Sequence, residues 1–236
     1  MKGIAPMNES EGVSPKPPPA LVSWSSGKDA AYALREVVRT GAVTPVGLLT
    51  TVSEAFGRVS MHGVREELLR RQAEATGLPL TTVRIPYPCP NEVYEREMGR
   101  ALESARSQGI RHVVFGDLFL EDIRRYRETR MAEVGMQCVF PLWHRPTSEL
   151  ARAMIRAGIR ARLVCIDPRA LDRSFAGREF DERLLADLPP EVDPCGERGE
   201  FHTFVTDAPP FRSPIAVRLG EIVDRDGFVF ADLTPE

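Results

Sequence analysis

The stretch that most constrains this chain is a strand, a polar loop and a helix in immediate succession. Residues 20–24 are apolar and follow a proline run, so they read as a buried first strand. Residues 30–40 read as a helix, with Ala31, Leu34, Val37 and Val38 at helical spacing and Gly41 just beyond. Between them stand Ser25, Ser26, Gly27, Lys28 and Asp29. A Ser/Gly loop at a helix N-terminus presents unpaired N–H groups, and the helix dipole favours an anion there. Gly27 permits close backbone approach, and Lys28 adds a full positive charge. The chain has 31 basic residues, of which only Lys2, Lys16 and Lys28 are lysines. The first two fall in a proline-rich leader, so Lys28 is the lone lysine of the expected folded part. A compact ammonium at a phosphate is not interchangeable with a guanidinium.

The following segments alternate. Strands are expected at 45–53, 80–85, 111–116, 138–140 and 161–166, with helices at 64–76, 92–108, 121–134 and 148–157. This pattern predicts an α/β fold: a Rossmann-like parallel sheet of about five strands with helices on both faces. After residue 167 the pattern changes. Short strands at 201–206, 215–218 and 228–232, with hairpin chemistry at Asp226-Gly227, predict a smaller C-terminal α+β unit. The expected division is a disordered Pro-rich leader over 1–19, an α/β domain over 20–140 and a substrate-side region over 141–236, with the boundary between 140 and 170.

A net charge of −3 gives no general attraction to nucleic acid or anionic membranes. No apolar run is long enough to span a bilayer, and no secretory signal opens the chain. Cys89, Cys138, Cys165 and Cys195 are widely spaced without a C-x-x-C pair, which argues against a structural zinc site. A cytoplasmic protein with reduced thiols is expected. Cys138 and Cys165 read as core residues, and Cys195 sits in a Gly/Glu-rich loop.

Ligands of open parallel sheets bind beyond the carboxyl ends of the strands. That rule gathers the 25–29 loop, Thr50, and the pair Gly116 and Asp117. Asp117 and Asp29 are candidate Mg2+ ligands, their alternatives being helix capping and complementing the helix dipole. His62 precedes a helix, and Arg124 lies in the charged run 121–128, where one arginine is expected to meet a phosphate or carboxylate. A second informative stretch is Cys195-Gly196-Glu197-Arg198-Gly199-Glu200-Phe201-His202-Thr203. Its glycines suggest close approach, and Glu197, Glu200 and His202 are candidates for acid, base or cation-ligand roles.

The loop Ser25-Ser26-Gly27-Lys28-Asp29-Ala30 resembles the S-G-G-K-D-S signature of the PP-loop ATP pyrophosphatases, of the HUP type. Ser26 stands where the signature has glycine, and Ala30 where it has serine. With Phe115-Gly116-Asp117-Leu118, Pro141-Leu142-Trp143 and the late Gly-Glu-Arg-Gly-Glu-Phe-His-Thr, the chain resembles the diphthine–ammonia ligase family over about residues 20–210. The resemblance implies an ATP-dependent, AMP-forming ligase that adenylates a carboxylate and forms an amide with ammonia. It implies phosphate binding by Ser25, Ser26, Gly27, Lys28 and Asp29. It also implies an acceptor or ammonia pocket around Gly196, Glu197, Gly199, Glu200, His202 and Thr203. ATP and Mg2+ are the expected cofactors. The acceptor is a small-molecule or protein-borne carboxylate, elongation factor 2 in an archaeal or eukaryotic member. Arginine-rich, lysine-poor usage is consistent with a bacterial member acting on another carboxylate. A PP-loop protein serving tRNA modification or nucleotide sensing is the alternative, and association as a homodimer is open.

Overall fold

A computed structural model describes residues 16–209 and 211–236. The first part runs β1 (Pro19–Ser23), α1 (Lys28–Thr40), β2 (Thr44–Ser53), β3 (Arg58–Val59), α2 (Glu66–Thr76), β4 (Leu80–Ile85), α3 (Asn91–Ser107), β5 (His112–Val114), α4 (Glu121–Glu133) and β6 (Gln137–Val139). The second runs α5 (Thr147–Arg156), β7 (Arg160–Ile166), α6 (Glu182–Asp187), β8 (Phe201–Asp207), β9 (Val217–Arg225) and β10 (Phe228–Pro235). The leader expected over 1–19 lies outside the described residues up to residue 15, and Pro19 already opens β1.

Five strands form a parallel array in the order β4-β2-β1-β5-β6, with the two-residue β3 antiparallel on the end of β2. Alternation along the strands divides the core between the two faces of the sheet. Ala20, Val22, Leu48 and Val114 pack with α1, α2 and α5. Leu21, Leu49, Val113 and Phe115 pack with α3 and α4. The fold is thus the expected α/β sheet with helices on both faces. The chain builds outward from β1 to β2 and β4, then returns to β5 on the other side of β1. That reversal opens a crevice at the carboxyl ends of β1 and β5.

The expected fifth parallel strand, 161–166, does not join this sheet. As β7 it lies between β8 and β10 in a four-stranded antiparallel sheet of order β8-β7-β10-β9. Its partners come from far downstream, so local alternation could not assign it. The β9–β10 hairpin turns at Asp226 and Gly227, both with positive φ (51° and 82°) as a two-residue primed turn requires.

The two sheets share one core across α1. Ala30, Ala31, Ala33, Leu34 and Val37 are all buried, and Phe204 and Val205 of β8 belong to the same cluster. Small alanines let α1 sit between two layers, and Gly41 stops it in the left-handed conformation at φ 66°.

Candidate functional site: the crevice between α1 and β8

The β1–α1 loop is clamped to β8 by main-chain bonds. The Val205 N–H donates to the Ser26 carbonyl at 2.9 Å, and Gln72 Nε2 donates to both the Ser26 and Val205 carbonyls at 3.1 and 2.7 Å. Helix α1 starts two residues earlier than the spacing predicts, at Lys28, without a side-chain cap of its own. Instead its first N–H, that of Lys28, donates to the Thr203 hydroxyl at 3.1 Å. Gly27 leaves little room for a side chain: a Cβ would stand 3.0 Å from His62 Cε1 and 3.3 Å from the Thr203 carbonyl.

Lys28 turns inward and is only 2 % exposed. Its ammonium donates to the Asp29 carboxylate at 2.9 Å and to the Cys195 carbonyl, and it lies over the rings of Phe180 and Phe201. Burial, the largest single influence, lowers its pKa, but the Asp29 carboxylate together with Cys195 and Glu197 more than offsets that, so the pKa is raised and the ammonium stays charged.

A cavity of about 250 Å³ opens beside this lysine. One wall is Ser25 with the first helical turn, Lys28, Asp29 and Ala30. A second is Phe115, Gly116 and Asp117 beyond β5, and the third is Gly196, Glu197, His202 and Thr203. Gly116 lets β5 reach the helix start, since a Cβ would meet the Asp29 carbonyl carbon at 2.8 Å. Gly196 has φ 69°, and a Cβ there would lie 2.7 Å from the Phe201 carbonyl oxygen.

Glu197 Oε1 accepts the Leu118 N–H at 2.8 Å, tying the late loop to β5. Its pKa is raised to about 7: burial pushes it up, the Leu118 N–H pulls back, and the charges of Asp29 and Asp117 add to the rise. His62 and His202 pack against each other, tilted by 36° with ring centroids 4.5 Å apart. Burial and then the Lys28 charge push His202 down to about 4. Burial, followed by the neighbouring His202, holds His62 well below its ordinary value. Both rings are therefore neutral at pH 7, and His62 Nδ1, 3.2 Å from the Thr203 carbonyl, carries its proton.

Other residues singled out from sequence sit differently. Ser26 is fully buried behind the loop rather than in the cavity, and its hydroxyl has no partner. Its φ of 73° accounts for the glycine of the signature at that place. The Thr50 hydroxyl donates to the Trp24 carbonyl at 2.7 Å, while the residue lines the chamber that adjoins this cavity. Glu200 turns into its own loop, accepting the Asp193 and Arg198 N–H groups at 3.0 and 2.9 Å, and Gly199 is a turn residue at φ 88°. Arg124 faces away, donating to Glu128 at 2.7 Å and stacking over Phe140 and Trp143. Arg127, one turn along α4, is the arginine that lines the cavity, donating to Asp117 at 3.0 Å over the Phe115 ring. Only the helical position of α4 against β5 distinguishes the two. The Cys195 thiol is buried and donates to the Thr147 carbonyl at 3.4 Å, and burial raises its pKa.

A second chamber of about 390 Å³ adjoins the first through Ser25, His62, Arg127 and His202. Its floor is apolar, with Tyr94, Met98, Leu102 and Met131 from α3 and α4. Among the described residues, no group of three or more His, Cys, Asp or Glu is gathered as a resident metal site would need. No helix among them is long and apolar enough to cross a membrane.

Residues 19–138 match the diphthamide synthase N-terminal domain, and residues 146–230 match the diphthamide synthase C-terminal domain. The chain belongs to the diphthamide synthase family. Similar proteins include the diphthine--ammonia ligases of Homo sapiens and Rattus norvegicus, 27% and 28% identical over 229 residues. In both cases 88% of this chain and 85% of the relative are covered. That of Danio rerio is 27% identical, with 88% and 89% covered. In this member of the diphthamide synthase family the two matched regions meet in the cavity. The N-terminal match supplies Ser25, Lys28, Asp117 and Arg127, and the C-terminal match supplies Glu197, His202 and Thr203.

Proposed function

We propose that this chain is an ATP-dependent, AMP-forming ligase that converts a carboxylate to an amide with ammonia, in keeping with relatives named diphthine--ammonia ligase. The supporting observation is the single cavity walled by the Lys28 turn on one side and Glu197 on the other. A polyphosphate fits the α1 N-terminus, where N–H dipoles, Lys28 and Arg127 converge. The apolar floor of the adjoining chamber suits a purine base. Mg2+ arriving with the triphosphate would take Asp29 and Asp117, since magnesium needs few protein carboxylates beside phosphate and water oxygens.

In this reading a carboxylate oxygen attacks the α-phosphorus and the bond to the β-phosphate oxygen breaks. Lys28 and the helix start stabilise the charge gathering on the leaving pyrophosphate. Ammonia then attacks the acyl carbon and AMP departs. Glu197, with a pKa near 7, takes the proton shed by the nitrogen. Neutral His62 and His202 orient reactants without adding charge, while Thr203 fixes the helix start and Glu200 braces the late loop. The acceptor is a diphthine-like carboxylate, protein-borne as on elongation factor 2, or a small molecule. The protein acts in the cytoplasm.

The test is product analysis of ATP with ammonium and candidate carboxylates. AMP and pyrophosphate in step with amide support the reading. ADP as product, or AMP formation indifferent to ammonium and carboxylate, removes it. Ala30 favours a second reading, because it places no hydroxyl on the phosphate wall. Tight ATP binding without AMP would mark a nucleotide sensor.

A further inference from the structure

A third chamber, of about 300 Å³, shares His202 with the phosphate cavity. His202 lines all three chambers. One wall of the third comes from the first sheet: β3, the turn through Met61 and Gly63, and the 86–89 loop. The other comes from the β9–β10 hairpin with Arg225, Phe228 and Phe230. A hydrogen bond from Tyr87 Oη to Asp226 Oδ2 at 2.6 Å straps the two walls together at the rim.

Two features mark this cleft as built for a ligand. Ser53 is 7 % exposed, and its hydroxyl and that of Ser60 are buried without a hydrogen-bond partner. Unpaired buried hydroxyls are costly, and both lie on the lining. The second feature is Arg225. It is half-buried, with its guanidinium over the rings of Phe56 and Phe230 at 5.2 and 5.6 Å. Among the described residues it forms no salt bridge, and the Asp226 carboxylate on the same lining is held by the neutral Tyr87 phenol. Asp224 is held by Arg173, Asp226 by Tyr87, and Asp232 by Arg58 and Arg65. A cation stacked on two rings in a largely apolar cleft complements a carboxylate carried on a flat or aliphatic body.

We propose that this third cleft is the acceptor site and that Arg225 is the residue that selects an anionic acceptor over a neutral one. The inference rests on the ligase reading for the fate of the acceptor. Because His202 lines both spaces, an acceptor in this cleft adjoins the phosphate cavity. Arg225 draws the carboxylate in, and the aromatic walls hold its body.

Cys89 lines this cleft and neither of the other two chambers, so its alkylation reports occupancy without turnover. The probe is 3-phenylpropionate, with 3-phenylpropanamide as the neutral isostere, and N-ethylmaleimide labelling is read peptide by peptide. The acid slows Cys89 alkylation, about sixfold at five times its own Kd, because only the empty cleft reacts. The amide binds about tenfold more weakly. Arg225→Gln erases that difference, and Arg225→Lys, which keeps the cation, retains a preference for the acid. ATP alone leaves the Cys89 rate unchanged. Equal protection by acid and amide, no protection by either, or protection by ATP overturns the assignment. Because the readout needs no catalysis, acid-selective protection in a protein that forms no AMP keeps the cleft and removes the ligase reading instead.

Discussion

The Lys28 ammonium donates to the main-chain carbonyl of Cys195, 167 residues further along the chain. One buried cation thus joins the phosphate turn at the start of α1 to the loop that carries Glu197. Whatever anion enters the cavity meets a lysine already charged and already fixed to both halves of the site.

Replacing that lysine tests both halves together. Lys28→Met keeps the volume but leaves Asp29 and the Cys195 carbonyl without their donor. Removing one member of a buried pair costs about 3 kcal/mol of stability, at the low end of such losses because the Asp29 side chain keeps 29 % exposure and water can reach it. Pyrophosphate release from ATP falls about 100-fold or more even where the variant remains folded. Thermal unfolding and turnover measured on the same sample separate the two effects.

Glu197 ties activity and stability to pH. Its carboxyl is raised from 4.5 to about 7 in the folded chain, so the native state binds the proton more tightly than the unfolded state. Its contribution to stability is fully present below pH 4.5 and is lost as pH rises through about 7. Glu197→Gln flattens that part of the stability profile, as melting temperatures across pH 4 to 8 would show. It also removes the limb near neutrality from the pH dependence of kcat/KM and lowers kcat about 100-fold.

Two arginines one turn apart separate geometry from sequence pattern. Arg127→Ala raises the KM for ATP about tenfold, because a cation leaves the cavity wall. Arg124→Ala leaves it unchanged, since that side chain is committed to Glu128 and the Phe140 and Trp143 rings. Steady-state kinetics of both variants decide the matter.

Ser26 offers a stabilising change. It holds φ 73° and a buried hydroxyl without a partner. Glycine adopts that angle without strain, so Ser26→Gly raises stability by about 1 kcal/mol in denaturant titration.

Much of the first sheet was legible in sequence because its signals are local. Apolar runs ended at Gly41 and Gly77, and each helix stops there in the left-handed conformation. The strand following each helix paired with the growing array until β7. There the signal failed, because β7 bonds to β8 and β10, whose positions no local window contains. The two-residue β3 is too short to show a period. In the cavity, the turn chemistry of Ser25 to Asp29 and the loop around Glu197 stood out as clusters, yet side-chain direction did not. Glu200 and Glu197 look alike in sequence, but Glu200 closes its own turn while Glu197 crosses to Leu118. The fold likewise directs the Thr50 hydroxyl to a main-chain carbonyl and buries that of Ser26, and neither direction is written in the local sequence.

The most direct measurement is a crystal structure with the non-cleavable analogue α,β-methylene-ATP and Mg2+. The account predicts the polyphosphate against Ser25, Lys28 and Ala30, with Lys28 Nζ in hydrogen-bond contact with a phosphate oxygen and Glu197 facing the α-phosphate across the cavity. Nucleotide bound elsewhere, or Lys28 still held only by Asp29 and the Cys195 carbonyl with no phosphate in reach, would contradict it.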